Sequence, residues 1–240
     1  MKILGIIPAR FASSRFPGKP LANIFGKTMI QRVYENAGKA SSLSGLIVAT
    51  DDKLIFETVE NFGGKVLMTS GDHANGTSRC AEVSSHFPAF DFIVNIQGDE
   101  PFIHPEQIDE LCSMFSDATA EIFTQAKKLI DPAAMKNPNV VKVIFDEKSY
   151  ATDFFRETQS TLGLAMDGNT LYKHIGIYGY KATALQEIVR LSPTENEKQR
   201  HLEQLRWLDN GYKIKMGITG FESISVDLPT DILKLIGLGD

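Results

Sequence analysis

The sequence predicts an α/β protein, a mostly parallel sheet wrapped by helices with a smaller β-rich insertion lobe. Through the first half, short apolar runs alternate with stretches whose apolar residues recur at helical spacing, the pattern of strands joined by crossover helices. In the second half, strand-like runs crowd together within about residues 140–190, which reads as an antiparallel excursion. The early strands also stop abruptly in polar, glycine-bearing loops. In open α/β sheets such loops gather at the carboxyl ends of the strands, where ligands bind.

Lys2 to Ile7 is the first buried strand, and Thr28 to Lys39 the first helix, with Met29, Ile30, Val33, Tyr34 and Ala37 on one face. Leu46 to Thr50 is the next strand. Leu54, Ile55, Thr58, Val59 and Phe62 mark the next helix, and Lys65 to Thr69 a third, short strand. Gly76 to Phe87 reads as a helix entered through a polar loop, and Phe92 to Ile96 as the fourth strand. Pro105 to Phe115 is a helix with its proline near the start, where the missing N–H is not needed. Val140 to Phe145, Tyr150 to Phe155 and Leu171 to Tyr180 are the strand candidates of the insertion. Ser192-Pro-Thr-Glu195 has capping-box spacing with proline at the first helical position, and Asn210-Gly211 supplies a stop. Strands at Lys213 to Thr219 and Ser223 to Val226 precede a last helix after Pro229. No repeat, low-complexity stretch or linker interrupts the chain, so a single domain over residues 1–240 is expected.

Composition narrows the function classes. The chain is 42% hydrophobic and 23% charged, ordinary for a globular protein, with a formal net charge of -5. That balance argues against DNA or RNA as the main partner. Cys80 and Cys112 both fall in apolar helical patterns and read as buried small hydrophobes, not as a disulfide or metal pair. No apolar run approaches the length of a membrane span and no leader precedes the first strand, so a soluble cytoplasmic protein is expected.

Two loops carry the chemistry. The first follows Ile6-Ile-Pro8-Ala9 and holds Arg10, Arg15 and Lys19 among Pro17, Gly18 and Pro20. The second ends Asp91-Phe-Ile-Val-Asn-Ile-Gln97 in Gly98-Asp99-Glu100-Pro101. Cations facing carboxylates across one crevice suit a nucleoside triphosphate with a divalent metal, since Lys and Arg hold phosphate oxygens and hard oxygen ligands hold Mg²⁺. The first loop has neither Walker nor Gly-x-Gly-x-x-Gly spacing, which disfavours a P-loop or a dinucleotide fold. Each cation alone reads equally as a solvated surface residue, and Asp99 alone as a turn-former. Asp227, in Ser225-Val226-Asp227-Leu228-Pro229, is a second strand-end acid, and the pair would hold a metal if both ended on one rim.

At this point the sequence resembles the sugar nucleotidyltransferases that make CMP-activated acidic sugars. The resemblance rests on Pro8-Ala-Arg10, Ser13-Ser-Arg-Phe-Pro-Gly-Lys-Pro-Leu21, Ala49-Thr-Asp-Asp52, Gly76-Thr77-x-Arg79, Asn95-Ile-Gln-Gly-Asp-Glu-Pro101, Lys173-His-Ile-Gly-Ile-Tyr178, Leu202-Glu-Gln-Leu-Arg206 and Val226-Asp227-x-Pro229. The order of these segments over essentially the whole chain is more specific than any one of them. It implies a Rossmann-like nucleotidyltransferase sheet, and transfer of CMP from CTP to the anomeric hydroxyl of an acidic 3-deoxy-octulosonic sugar. It further implies Mg²⁺, a homodimer and a place in lipopolysaccharide biosynthesis. By resemblance, Arg10 and Lys19 bind the CTP phosphates with Arg15 nearby, and Ala9, Gly76 and Arg79 line the cytidine pocket. Asp99 and Asp227 hold the metal, while Gln97, Arg156, His174, Glu203 and Gln204 surround the sugar. Without the family, His174 reads as a structural histidine and Glu203-Gln204 as a helix surface.

The chain departs from the family pattern in three places. Phe154-Phe-Arg156-Glu-Thr-Gln-Ser160 stands where Phe-Ser-Arg-x-x-Ile-Pro is usual, Ser78 replaces an Asp, and Leu228 replaces a Thr. The carboxylate of Glu157 is a candidate partner for an amino-bearing sugar such as an 8-amino analogue. A nucleotide-binding paralogue without turnover is the alternative of another class, and retention of both Asp99 and Asp227 argues against it.

Overall fold

The computed structural model describes residues 1–13, 15–156, 171–222 and 224–236. The elements, in order, are β1 (Ile3–Ala9), β2 (Asn23–Ile24), β3 (Lys27–Thr28), α1 (Met29–Ala37), β4 (Gly45–Thr50), α2 (Lys53–Asn61) and β5 (Val66–Met68). Next come α3 (Gly76–His86), β6 (Phe92–Asn95), α4 (Pro105–Ser113), β7 (Ile122–Lys128), α5 (Pro132–Lys136), β8 (Lys142–Phe145) and β9 (Ala151–Phe155). The last are β10 (Tyr172–Lys181), α6 (Ala182–Ile188), α7 (Glu195–Arg200), α8 (Gln204–Asp209), β11 (Ile214–Ile218) and a 3-10 helix at Pro229–Leu235.

The main sheet runs β11-β7-β10-β6-β1-β4-β5, with β8 and β9 joined to it through β10. β1 pairs in parallel with both β4 and β6, while β10 is antiparallel to β6 and β7. The chain thus lays β4 and β5 on one side of β1 and then crosses to lay β6 on the other. The order reverses beside β1, and a crevice opens there at the carboxyl ends of β1 and β6.

Alternation along β1 explains why both faces of the sheet are covered. Ile3, Ile7 and Ala9 join a cluster with Ile30 and Val33 of α1, Ile55 and Val59 of α2, and Ile108 and Leu111 of α4. Leu4 and Ile6 point the other way, to Cys80 and Val83 of α3, Leu185 of α6, and Leu205 and Trp207 of α8. A strand buried on both faces reads as a continuous apolar run, and Ile3–Ile7 is one. Both cysteines are buried and free, and burial pushes the Cys112 thiol up to about 12.

Several elements differ from the sequence expectation. β7, a central strand, goes unread because its inward positions include Thr124 and Gln125, both buried, which break the apolar run. α6 was likewise unread. The helix expected from Ser192 to Asn210 is two helices, separated where His201 takes a left-handed conformation at φ 54°. Its N-cap is Thr194, whose hydroxyl accepts from the Glu197 N–H at 3.3 Å. Thr194 and Glu197 repeat the capping-box spacing two residues beyond Ser192. Described residues near Val226 form no strand, and the closing helix is 3-10. Of the three strands expected for the insertion, β8 pairs antiparallel to β10 and β9 antiparallel to β8, while β10 itself is a strand of the main sheet.

Candidate functional site

A cleft of about 460 Å³ opens at the carboxyl ends of β1 and β6. Ala9, Arg10, Arg15, Lys19, Gly76, Arg79, Gln97, Asp99, Glu203, Gln204 and Asp227 all line it. Residues up to 218 positions apart in the sequence therefore share one wall-to-wall site.

The two acids are brought together by backbone. The N–H of Val226 donates to the carbonyl of Asp99 at 2.9 Å, tying the C-terminal segment to the loop after β6. Val226 itself is fully buried with Ile24, Met29 and Leu235 beneath the cation loop. Burial of a valine of this kind stabilises by roughly 1.5–3 kcal/mol, enough to anchor the segment. Gly98 allows the loop after β6 to cross close over β1, since a Cβ there would lie 2.7 Å from the carbonyl oxygen of Pro8.

Lys19 stands between the acids. Its Nζ lies 2.7 Å from Asp99 Oδ2 and 3.6 Å from Asp227 Oδ1. Arg15 adds a second contact to Asp227 at 3.0 Å. Lys19 is placed by a 3-10 turn over Lys19–Leu21, which Gly18 enters at φ 70°. That left-handed entry suits glycine, and a Cβ there would press on the ring of Phe11 at 3.2 Å. Arg10 is exposed and has no hydrogen bond or ion pair among the described residues, so its guanidinium is available to a ligand.

The opposite wall is the amino end of α3. Asn75 caps it, its side chain accepting from the Ser78 N–H at 2.9 Å. The same amide donates through Nδ2 to Glu203 Oε1 at 2.8 Å, and Thr77 Oγ1 donates to Glu203 Oε2 at 3.0 Å. Burial raises the Glu203 carboxyl above its ordinary range, and the bond from Thr77 opposes that rise. Arg79 is buried and reaches Asp51 at 3.1 Å and the Thr69 hydroxyl, so it fastens the ends of β4 and β5 under the cleft. Gln97 donates to the carbonyl of Gly176 at 2.8 Å, at an irregularity in β10 between Ile175 and Tyr178.

Two expected sugar residues stand outside the lining. Arg156 donates to the carbonyls of Pro138 at 3.4 Å and Asn139 at 3.1 Å. His174 packs between the rings of Phe154 and Tyr178, with Nε2 3.1 Å from the Thr124 hydroxyl. Burial, with a smaller push from the Arg156 charge, pulls the His174 imidazole down to about 3. Glu157 and the rest of the altered segment through Ser160 lie outside the described residues.

The cleft also contains His73, Asn75 and Trp207, which lie outside every segment that carries the resemblance, and Thr77, Asn95 and Tyr178, which lie in such segments but were given no role. Asn75 had a legible signal, an Asn directly before a helical run. Trp207 had none, because an aromatic in an apolar pattern reads as core, and Tyr178 had only its place at the end of a resemblance segment.

Asp99 and Asp227 fit Mg²⁺ by donor chemistry, as hard carboxylate oxygens on one cleft wall that a single ammonium reaches at 2.7 and 3.6 Å. No group of three or more acidic, His or Cys side chains able to hold a metal occurs among the described residues. Two carboxylates suffice for Mg²⁺ when phosphate oxygens and water complete its shell.

Comparison with known proteins gives the family of the chain. A family profile described as cytidylyltransferase matches residues 4–214. The 3-deoxy-manno-octulosonate cytidylyltransferase of Parabacteroides distasonis is 47% identical, over 98% of this chain and 97% of its own. That of Bacteroides thetaiotaomicron is 48% identical, over 97% and 96%. A solved CMP:2-keto-3-deoxy-manno-octonic acid synthetase complexed with CTP superposes with a TM-score of 0.93, at 36% identity, over 99% of this chain and 98% of that one.

Proposed function

We infer the reaction from the premise that this chain belongs to the cytidylyltransferase family. It is a 3-deoxy-manno-octulosonate (Kdo) cytidylyltransferase, which transfers CMP from CTP to the anomeric hydroxyl of Kdo and releases pyrophosphate. The observation that carries the reading in this chain's own residues is the meeting of Lys19 with both Asp99 and Asp227 in one cleft.

The anomeric oxygen attacks the α-phosphorus in line, the bond to the pyrophosphate oxygen breaks, and the hydroxyl proton is released. Positioning and charge stabilisation suffice for such a transfer, and no covalent nucleophile is needed. In the roles we assign, Arg10, Arg15 and Lys19 take the triphosphate, and Ala9, Gly76 and Arg79 frame the cytidine. Lys19 and Arg15 exchange carboxylate partners for phosphate oxygens as the nucleotide enters. Mg²⁺, when held by Asp99 and Asp227, supplies Lewis-acid neutralisation of the phosphate charge. Gln97, Glu203 and Gln204 face the sugar. Arg156 and His174 stand outside the cleft lining in this structure, and the family resemblance keeps Arg156 as the candidate for the sugar carboxylate, which it would meet on leaving the carbonyls of Pro138 and Asn139. The family resemblance extends this reading to a cytoplasmic homodimer that feeds lipopolysaccharide synthesis.

Pyrophosphate release from CTP, measured with Kdo, 8-amino-Kdo and sialic acid, tests the substrate. The highest kcat/KM is expected with Kdo. A higher value with 8-amino-Kdo would reassign the sugar and bring Glu157 into its recognition.

A further inference from the structure

Asp227 belongs to no strand or helix, yet its carboxylate has to meet that of Asp99 within the reach of one cation. The Val226 N–H holds the segment from the cleft side. On the other side is Asp231, which is 7% exposed. Its Oδ2 accepts from the N–H of Asp227 at 2.9 Å and from the N–H of Leu228 at 2.8 Å. These two N–H groups belong to the peptide planes on either side of the Asp227 Cα. Fixing both planes on one oxygen fixes φ and ψ of Asp227, and with them the direction of its Cα–Cβ bond.

We propose that Asp231 is the positioning residue for Asp227, aiming that carboxylate at the shared cation site. The proposal rests on the reading of Asp227 as one of the paired metal acids. Without Asp231 the two amides lose their common acceptor, and the segment keeps the backbone bond from Val226 to Asp99 but not the contact that orients Asp227. The other carboxylate oxygen of Asp231 takes Lys234 Nζ at 2.6 Å, but that lysine side chain is 66% exposed, so the ion pair is incidental to the aim.

The test uses the full chain with Mn²⁺ as a paramagnetic probe, measuring Mn²⁺ affinity of the enzyme–CTP complex by EPR beside kcat and KM. Asp231→Ala is expected to weaken Mn²⁺ binding and lower kcat by about 10–100-fold, the usual range for a group that orients a metal ligand, with KM for CTP little changed. Asp231→Asn keeps an acceptor oxygen and is expected to restore both, while Lys234→Ala leaves both unaltered. Should Asp231→Ala not fold, Asp231→Glu, which keeps the charge but displaces the acceptor, carries the same expectation of weakened Mn²⁺ binding. A folded Asp231→Ala or Asp231→Glu protein with parental Mn²⁺ affinity overturns the proposal, as does an Asn variant as impaired as the Ala one. Asp227→Asn separates the two levels. If it retains parental Mn²⁺ affinity, the metal-acid reading itself fails. If it loses that affinity while Asp231→Ala does not, only the positioning role fails.

Discussion

Under the proposed function Lys19 answers to two sets of partners, and its worth to the protein depends on which set is present. Between Asp99 and Asp227 it offsets the repulsion of two carboxylates that the fold forces together, and its side chain is only 16% exposed, so water screens the contacts incompletely. The structure therefore holds this positive charge at the junction of the two acids, where the proposed function needs it for the triphosphate. Lys19→Ala is expected to weaken CTP binding by about 1.5–3 kcal/mol, the range for a charge-assisted hydrogen bond. Calorimetric titration checks this. Unchanged affinity would confine Lys19 to its ion pairs with the two acids. That Arg10 and Lys19 line one cleft was legible in the sequence, because a single stiff Pro-Gly loop after a strand carries them together. Asp231 was not, since an acid three residues after Leu228 looks like any other first-turn acid of a helix.

At the scale of elements, the amino ends of α3 and α8 meet across the cleft through Asn75 and Glu203. One amide caps α3 with its oxygen and holds Glu203 with its nitrogen, so the two walls of the cleft share a single side chain. Asn75→Ala is expected to cost about 1 kcal/mol of stability through the lost cap. Asn75→Asp should not recover it, because the new carboxylate would face Glu203. Urea denaturation of the two variants beside the parent decides the matter, and a fully stable Asn75→Asp protein would show that the bond to Glu203 contributes nothing. Helix periodicity found α3 and its start, yet it merged α7 with α8. The break at His201 depends on a left-handed residue that carries a side chain, and no glycine marks it.

The whole molecule is joined at β10, whose ten residues pair with β6 and β7 in the main sheet and with β8 in the insertion. His174 lies at that joint, against Phe154 of β9 and Thr124 of β7. Its imidazole, pulled down to about 3 by burial, stays neutral in the fold while the unfolded chain protonates near the ordinary 6.5. The unfolded state therefore binds the extra proton as pH falls, and the stability associated with neutral His174 is complete above pH 6.5 and lost towards pH 3. His174→Gln is expected to lose less stability than the parent between about pH 7 and about pH 4, read by thermal melts at each pH. Parallel losses in both proteins would mean that other groups govern the acid limb.

The sequence by itself determined the alternation of strands and helices, the two chemical loops and the order of family segments. These are local facts, written in periodicity, in loop chemistry and in neighbouring residues. It also supplied both acids, but it could not place them on one rim: they are 128 positions apart (227 − 99), and what joins them is the backbone bond from Val226 to Asp99. The tertiary structure alone decided that Thr124 and Gln125 belong to a central strand, because a buried polar pair conceals a strand from any pattern of hydrophobicity. It alone drew Arg156 and His174 out of the cleft lining, since which side of a wall a side chain faces depends on how β8, β9 and β10 pack, and sequence spacing holds no record of that.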